Sequence, residues 1–346
     1  MNQRFATRLT IACLTATLFA LPVAAQVKCH TEIKKTPLPD FKVPKPETFT
    51  LANGMRVFLM EDREIPVVSV RALVRTGSFW EPQAKIGLAR LTGVVQRTGG
   101  TTSMTGDQLD DYLEARAAFV ETGIGGDSGG ASMNCLKQDF DDVFKVFLDV
   151  LRNPAFAQDK LDLAKVQSSA SIARRNDNVG GITGREIGRL VYGPTSPLVS
   201  LEEYATITAI TRADLAAWHK AYFVPNNIML GVSGDFDPKA MRKTIEQAFA
   251  SWSKGPDVTV GKIPYRTTPN PGVFFIEKAD VTQANIAMAE LGIEQTNPDY
   301  FAVQVMNEVL GGGFSGRLVN AIRTKKGLAY SVGGGLGAAF DRPADG

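Results

Sequence analysis

The same order of predicted elements, strands followed by long helices, occurs twice in this chain, on either side of a proline-rich segment. The segment 256–272 contains prolines at positions 256, 264, 269 and 271 and is predicted to be a linker. The repeated order predicts an α+β fold with duplicated domains, 48–255 and 273–346. Each domain is expected to pack a mostly antiparallel sheet against helices.

In the first domain, Asn53-Gly54 predicts a turn before two antiparallel strands at 55–60 and 67–74. Helices are predicted at 106–121, 140–152, 160–175, 215–222 and 238–252, with a further helical stretch at 87–96 and a strand at 228–233. The clearest helix is 140–152, because its apolar residues recur every three or four positions. They are Phe140, Val143, Phe144, Phe147, Leu148 and Leu151. The glycine-rich stretch 123–130 is predicted to be a turn or loop.

In the second domain the elements restart after the linker. Strands are predicted at 273–277, 284–290 and 329–334, a helix at 298–310, and then a glycine loop and a short helix. Because 273–346 is much shorter than 48–255, we expect the second domain to be incomplete, either as a fragment or as a natural truncation. Such a half-sheet would leave an unpaired strand edge.

The first 25 residues are predicted to be a secretory signal peptide, with Arg4 and Arg8 before a short apolar run and small residues at 23–25. An uncleaved membrane anchor is the alternative. Residues 26–47 are predicted to be an extended arm, and the mature protein to be secreted into the periplasm. Removal of the signal peptide would leave 36 basic and 36 acidic residues. This balance gives no electrostatic reason to bind nucleic acid.

Few residues can carry nucleophilic or metal chemistry. The histidines are His30, in the predicted arm, and His219, which is predicted to be a core or surface residue rather than a ligand. After signal cleavage, Cys29 and Cys135 remain. An oxidising compartment permits a bridge between them, but unpaired thiols are equally consistent with the sequence.

Several segments resemble the pitrilysin and mitochondrial-processing-peptidase family of inverzincin metallopeptidases. They are LANGMRV at 51–57, VRTGS at 74–78 followed by Glu81 and by GLA at 87–89, and LGGGFSGRLVNAIRTKKGLAYSV at 310–332. In that family two histidines of an H-x-x-E-H motif on a helix hold zinc, and the glutamate polarises a water.

The resemblance aligns Arg90 with the first histidine, Gly93 with the glutamate and Val94 with the second histidine. The third ligand of the family is a glutamate roughly seventy to eighty residues further on, and here Ala170 and Ser171 lie near that place. The resemblance therefore implies a non-catalytic subunit that binds no zinc, with the zinc held by a partner.

The resemblance also implies that Arg323 and Tyr330 bind substrate near the scissile bond, the arginine through charge-assisted hydrogen bonds. Without it, the two are a surface arginine at a helix end and a strand residue. Gly311, Gly312 and Gly313 are predicted either to line the substrate chamber or to form a flexible turn between helices.

These residues lead to one main functional expectation. The chain is expected to be a periplasmic substrate-binding subunit that contributes Arg323 and Tyr330 to a zinc-bearing homologous peptidase. It would be inactive alone. The alternative is a structural or peptide-binding protein of the same fold with no role in proteolysis. A third alternative, an independent hydrolase, has too few histidines to support it.

Overall fold

The computed structural model describes residues 42–264, 266–268 and 270–339. Contacts between residues divide the chain at Pro46, and the fold lies in the unit that begins there. The predicted signal peptide, most of the predicted arm, Cys29 and His30 lie outside the described residues. Within the described part of the chain, none of the helices combines the length and the apolar character needed to cross a membrane.

The described residues form two sheets and a set of α-helices. The strands are β1 (Glu47–Thr50), β2 (Arg56–Glu61), β3 (Val67–Val74), β4 (Phe119–Ile124), β5 (Gly129–Leu136), β6 (Ile228–Gly234), β7 (Ile293–Glu294) and β8 (Ala338–Ala339). The α-helices are α1 (Leu88–Thr98), α2 (Gly106–Glu114), α3 (Phe140–Arg152), α4 (Gln158–Arg174), α5 (Val179–Tyr192), α6 (Tyr204–Ala209), α7 (Arg212–Tyr222), α8 (Pro238–Phe249) and α9 (Tyr300–Leu310). A π-helical segment follows at Val319–Lys325.

The larger sheet has six strands in the order β1-β2-β6-β3-β5-β4. Only β2 and β6 pair in parallel; the other neighbours in this sheet are antiparallel. This architecture confirms the predicted α+β class with a mostly antiparallel sheet on helices. The predicted strands 55–60 and 67–74 do form, but β6 lies between them, so they do not pair with each other.

One face of this sheet carries the core. In β3 the alternation predicted by the sequence buries Val68, Val70, Ala72 and Val74 beneath the helices. Helix α3 packs against β5 with its aromatic side chains, and Phe147 is fully buried. Leu148, predicted to lie on the buried face of this helix, is only partly buried.

The region between α2 and α3 differs from the prediction. The helix predicted over 106–121 ends at Glu114, and the chain passes through Ala117, whose φ of 47° lies in the left-handed region. It then forms β4, which pairs with β5 along its whole length. The predicted loop 123–130 is therefore a tight turn at 125–128 between two strands, and pairing overrides the low strand preference of glycine.

Helix α5 also lies outside the predicted helices. It contains glycines at 180, 181, 184 and 188, and glycine disfavours a helix. The side chain of Asn178 accepts a hydrogen bond from the N–H of Gly181 and caps the helix. Ile182 and Val191 then bury one side of it. Capping and burial together compensate for the flexible residues.

The strands predicted in the second domain are wrong. Segments 273–277, 284–290 and 329–334 form no strand, and the second sheet consists of the two-residue strands β7 and β8. A strand requires a hydrogen-bonded neighbour, and no neighbour exists for these segments among the described residues. Val273 is fully exposed, and Phe275, Ile286 and Met288 are largely exposed.

The predicted linker 256–272 lies within a longer stretch, 253–290, whose described residues form no helix or strand. Side chains of the first domain hold it, among them Asn226, which donates to the carbonyl oxygen of Pro256, and two others further along. The indole Nε1 of Trp80 donates to the carbonyl oxygen of Gly261 at 3.0 Å, and the hydroxyl of Ser196 donates to that of Pro264 at 2.7 Å. The domain boundary itself stays a prediction.

We expect Phe147→Ala to lower the free energy of unfolding by about 3–5 kcal/mol, because it leaves a cavity beneath the sheet. Leu163→Ala is the control, since Leu163 is about half exposed on α4, and should change stability by no more than about 0.5 kcal/mol. Urea unfolding followed by circular dichroism measures both. Equal effects of the two substitutions would place the core elsewhere.

Candidate functional site

Helix α1 begins at a partly buried carboxylate. Gly87, with a φ of 104°, turns the chain into the helix. The carboxylate of Glu81 accepts hydrogen bonds from the N–H of Gly87, at 2.9 Å, and from that of Ala89 in the first turn. Burial raises the pKa of Glu81 to about 7; the two backbone hydrogen bonds lower it, Glu202 raises it and Arg90 lowers it. Glu81 therefore caps α1. The free-energy cost of burying its carboxyl group depends on whether that group is ionised.

Arg90, on the first turn of α1, is the centre of a polar cluster. Its Nε and one Nη donate to the two carboxylate oxygens of Glu202 at 2.5 and 2.8 Å. The same Nη donates to the hydroxyl of Ser168 on α4 at 2.6 Å, and that hydroxyl donates to the carbonyl oxygen of Ala164. The arginine therefore connects α1 with α4 and with the segment before α6.

Gly93 lies where α1 crosses β4. A Cβ at this position would come within 2.5 Å of the backbone N of Ile124 and within 2.9 Å of main-chain carbon atoms of Gly123. The hydroxyl of Thr122 donates to the carbonyl oxygen of Gly93 at 2.6 Å. Only glycine allows this approach, so neither a glutamate nor any other side chain fits at position 93.

Val94 and the residues near the predicted third position lie outside the polar cluster around Arg90. Val94 is half-buried and packs on the core. Ala170 and Ser171, expected near the third position, are exposed, whereas Ser168, 78 residues after Arg90, is buried against the guanidinium. Sequence analysis missed Ser168 and Glu202. The signal for a partner was an arginine between the apolar residues Ala89 and Leu91, which favours a carboxylate nearby but does not say which one.

The structure brings Arg323 and Tyr330 together. The guanidinium carbon of Arg323 lies 4.7 Å from the ring centre of Tyr330 and 5.1 Å from that of Phe314. Arg323 belongs to the π-helical segment, a geometry frequent at functional sites. Tyr330 is 85% exposed, and within the described residues its hydroxyl has no hydrogen-bond partner. The two side chains therefore form one unit in which Tyr330 is exposed and Arg323 is half-buried, and their predicted role in binding substrate stays a prediction.

The glycine run 311–313 forms the turn after α9. A Cβ on Gly311 would lie 2.3 Å from the carbonyl oxygen of Gly334, whereas one on Gly313 would meet nothing within 4 Å. The N–H groups of Gly311 and Gly312 both donate to the carbonyl oxygen of Asn307. Gly311 is therefore required by a close approach of two backbones, and the predicted lining of a chamber by this loop stays a prediction.

His219 lies on α7 among aromatic rings, as expected for a core residue. Its imidazole packs against Phe156 and Phe223, and Nε2 lies 3.0 Å from the carbonyl oxygen of Leu151. Burial lowers the pKa of His219 to about 4. Cys135 on β5 carries a free, buried thiol whose pKa burial raises to about 11.

Two family models match this chain. The model of insulinase, peptidase family M16, matches residues 56–180, and that of the peptidase M16 inactive domain matches residues 209–342. Together they cover most of the chain. The chain belongs to the M16 peptidase family.

Several M16 relatives are similar along most of the chain. A crystal structure of a peptidase M16 inactive domain from Pseudomonas fluorescens superposes with a TM-score of 0.73 and 28% identity, covering 86% of this chain and 72% of that one. An uncharacterized zinc protease of Rickettsia felis is 22% identical, over 82% of this chain and 68% of its own length. A protein of Helicobacter pylori named a non-peptidase homolog is 24% identical, over 80% of this chain and 63% of its own length.

The residues of this M16 protein do not fit a zinc ion at the positions where the family motif places one. Arg90 is a cation, Gly93 has no room for a side chain, Val94 is a hydrocarbon, and near the third position Ala170 is a methyl group and Ser171 a neutral hydroxyl. Zinc requires thiolate, imidazole or carboxylate ligands. Elsewhere in the described residues, no group of three or more His, Cys, Asp or Glu side chains could hold a metal ion.

We expect the stability contribution of Glu81 to fall as the pH rises. Its folded pKa of about 7 exceeds the ordinary value of 4.5, so the folded state binds this proton more tightly than the unfolded state. The contribution is therefore full below pH 4.5 and is lost as the pH rises through 7. The free energy of unfolding of the wild type, relative to Glu81→Gln, should fall by up to about 3 kcal/mol between pH 4.5 and 8.

Urea unfolding of both proteins over this pH range measures the difference. His219 titrates with the opposite sign, but it is present in both proteins and cancels. A difference that is flat or rises with pH would contradict the burial of the Glu81 carboxylate.

Gly93→Ala should destabilise the protein by about 1–3 kcal/mol, although alanine favours helices, because the added carbon meets the backbone of β4. Gly123→Ala is the matched control from the other side of the same contact, since a Cβ there meets nothing within 4 Å. Its effect should stay within about 0.5 kcal/mol. Thermal unfolding of the two variants compares them, and a neutral Gly93→Ala would show that α1 can move away from β4.

Proposed function

We propose that this protein is the non-catalytic, substrate-binding subunit of a periplasmic zinc endopeptidase pair. The partner is a homologous subunit with an intact H-x-x-E-H motif, which holds the zinc. This chain holds no catalytic metal and contributes Arg323 and Tyr330 to the shared site.

The observation that carries the proposal is a contrast within one chain. The zinc positions contain Arg90, Gly93 and Val94, a set that cannot bind a metal, whereas the half-buried Arg323 lies against the exposed ring of Tyr330. A chain that had lost every role in proteolysis would have no need for this second group. The relative of Helicobacter pylori named a non-peptidase homolog is consistent with loss of metal chemistry in this chain.

The two side chains suit a peptide substrate. The guanidinium of Arg323 has a planar set of N–H donors for a substrate carbonyl oxygen, and the stacked ring of Tyr330 limits its rotation. The phenol of Tyr330 can donate to the same oxygen and stabilise the negative charge that develops on it during attack by water. The attacking water and its activation belong to the partner.

The test is cleavage of a fluorogenic peptide library by this protein, by a zinc-bearing homologue from the same source, and by the two together, each with zinc. We expect cleavage by the mixture to exceed that of either protein alone and to stop with a chelator. In the mixture, Arg323→Ala and Tyr330→Phe should each lower kcat/KM by at least about tenfold. Arg317→Ala changes an exposed arginine just before the π-helical segment and should leave kcat/KM unchanged.

Each other outcome identifies an alternative. If mixing adds no activity although the two proteins bind each other, the chain is a structural or peptide-binding protein of the M16 fold. If all three variants cleave like the wild type, the roles given to Arg323 and Tyr330 are wrong. Cleavage by this chain alone in the presence of a chelator would overturn the proposal.

A further inference from the structure

The contacts of Arg90 join three parts of the first domain that are far apart in sequence. Arg90 on α1 reaches Ser168 on α4, and Glu202 comes from the segment before α6. Helices α1 and α4 also pack against each other, and the guanidinium adds directed hydrogen bonds to that contact at the first turn of α1. One guanidinium therefore cross-links all three parts.

The charges around Arg90 explain why its partner is a carboxylate held by both oxygens. The side chain of Arg90 is 42% exposed and that of Glu202 25%, so both groups lose part of their hydration and each requires the other. Glu81 faces the same cluster from before α1, and a separate ion pair of Lys85 with Asp214 lies on the neighbouring α7. The planar fork of an arginine matches a carboxylate in a way that a lysine cannot.

The positions of the contacts repeat the arrangement expected for the metal. Arg90 occupies the first ligand position of the zinc motif, and Ser168 lies on α4, the helix that also holds Ala170 and Ser171 near the expected third position. A metal at the family positions would connect α1 with α4. In this chain the hydrogen bond from Arg90 to Ser168 connects the same two helices directly.

We propose that Arg90, neutralised by Glu202 and hydrogen-bonded to Ser168, is a built-in substitute for the structural role of the metal. It holds α1, α4 and the segment before α6 in place without any bound ion. Arg90 is a positioning residue in this role: it fixes α1 against α4 and the segment before α6, and takes no part in chemistry. The inference concerns the first domain alone and does not depend on the proposed partnership.

A double-mutant cycle on the full chain tests the proposal. Arg90→Met keeps the apolar stem and removes the charge, and Glu202→Gln keeps the shape of its partner. We expect a coupling of at least about tenfold in the folding equilibrium constant, or about 1.4 kcal/mol, measured by urea unfolding. The control cycle uses Lys160 and Asp107, an ion pair between α4 and α2 in which Asp107 is 82% exposed; there we expect less than about twofold.

A second readout separates positioning from general stability. Hydrogen exchange of the amides in 87–91 and 164–172 should speed up by at least about tenfold in Arg90→Met, while the amides of β3 keep their protection relative to the global stability of each variant. Lys160→Met should leave both regions as in the wild type. If Arg90→Met does not fold, Arg90→Lys replaces it in the cycle, because an ammonium keeps the charge but loses the paired contacts.

Two results would overturn the proposal. One is a coupling between Arg90 and Glu202 no larger than that of the control pair, which would make this an ordinary surface ion pair. The other is a rise in the melting temperature of the wild-type protein on addition of zinc, reversed by a chelator, because it would show that the folded chain binds the metal. An unchanged melting temperature together with strong coupling supports the proposal.

Discussion

The close contact between α1 and β4 is the constraint on which the candidate site depends. At Gly93 the helix backbone comes so near to the strand that a Cβ would overlap the main chain of Ile124. This approach sets the depth of the helix above the sheet, and the hydrogen bond from Thr122 to Gly93 holds it there. The direction in which Arg90 leaves the helix, and the loss of space for a glutamate, follow from the same contact.

Electrostatics then determines what can stand beside α1. A half-buried guanidinium without a counter-charge would be costly, and Glu202 removes that cost with two hydrogen bonds. Glu81 adds a second carboxylate to the same cluster and is partly protonated near neutral pH, since burial raises its pKa to about 7. The charge of Arg90 is thus neutralised by a carboxylate of the protein itself. This suits a structural contact and does not suit the binding of a metal cation.

The two candidate regions of this M16 protein have opposite physical character. Around Arg90 the donors are used within the protein, whereas the half-buried Arg323 lies beside the exposed rings of Phe314 and Tyr330, and its guanidinium has no hydrogen-bond partner among the described residues. A group whose hydrogen bonds are internally satisfied contributes to the fold, and a group with free donors is available to a ligand. This difference is the physical basis for proposing substrate binding at the second region and a structural role for the first.

The spacing of apolar residues was sufficient to predict those strands and helices that bury one regular face. The alternation in β3 and the apolar face of α3 predicted both correctly, because each buries one face against a single layer. The same reasoning failed for β4, where pairing with β5 outweighs the glycine at 123, and for α5, where Asn178 and buried side chains outweigh four glycines. It failed again at 273–277 and 284–290, since a strand pattern has no effect without a neighbouring strand.

The sequence by itself determined that the family motif at Arg90, Gly93 and Val94 cannot bind zinc, because side-chain chemistry is a property of each residue and needs no fold. It also determined the family, through the segments that resemble it. Only the tertiary structure decided that Glu202 and Ser168 are the partners of Arg90 and that Gly93 meets β4. Those partners are separated by 78 to 112 residues from Arg90, and contacts over such distances depend on how helices and strands pack rather than on any local pattern.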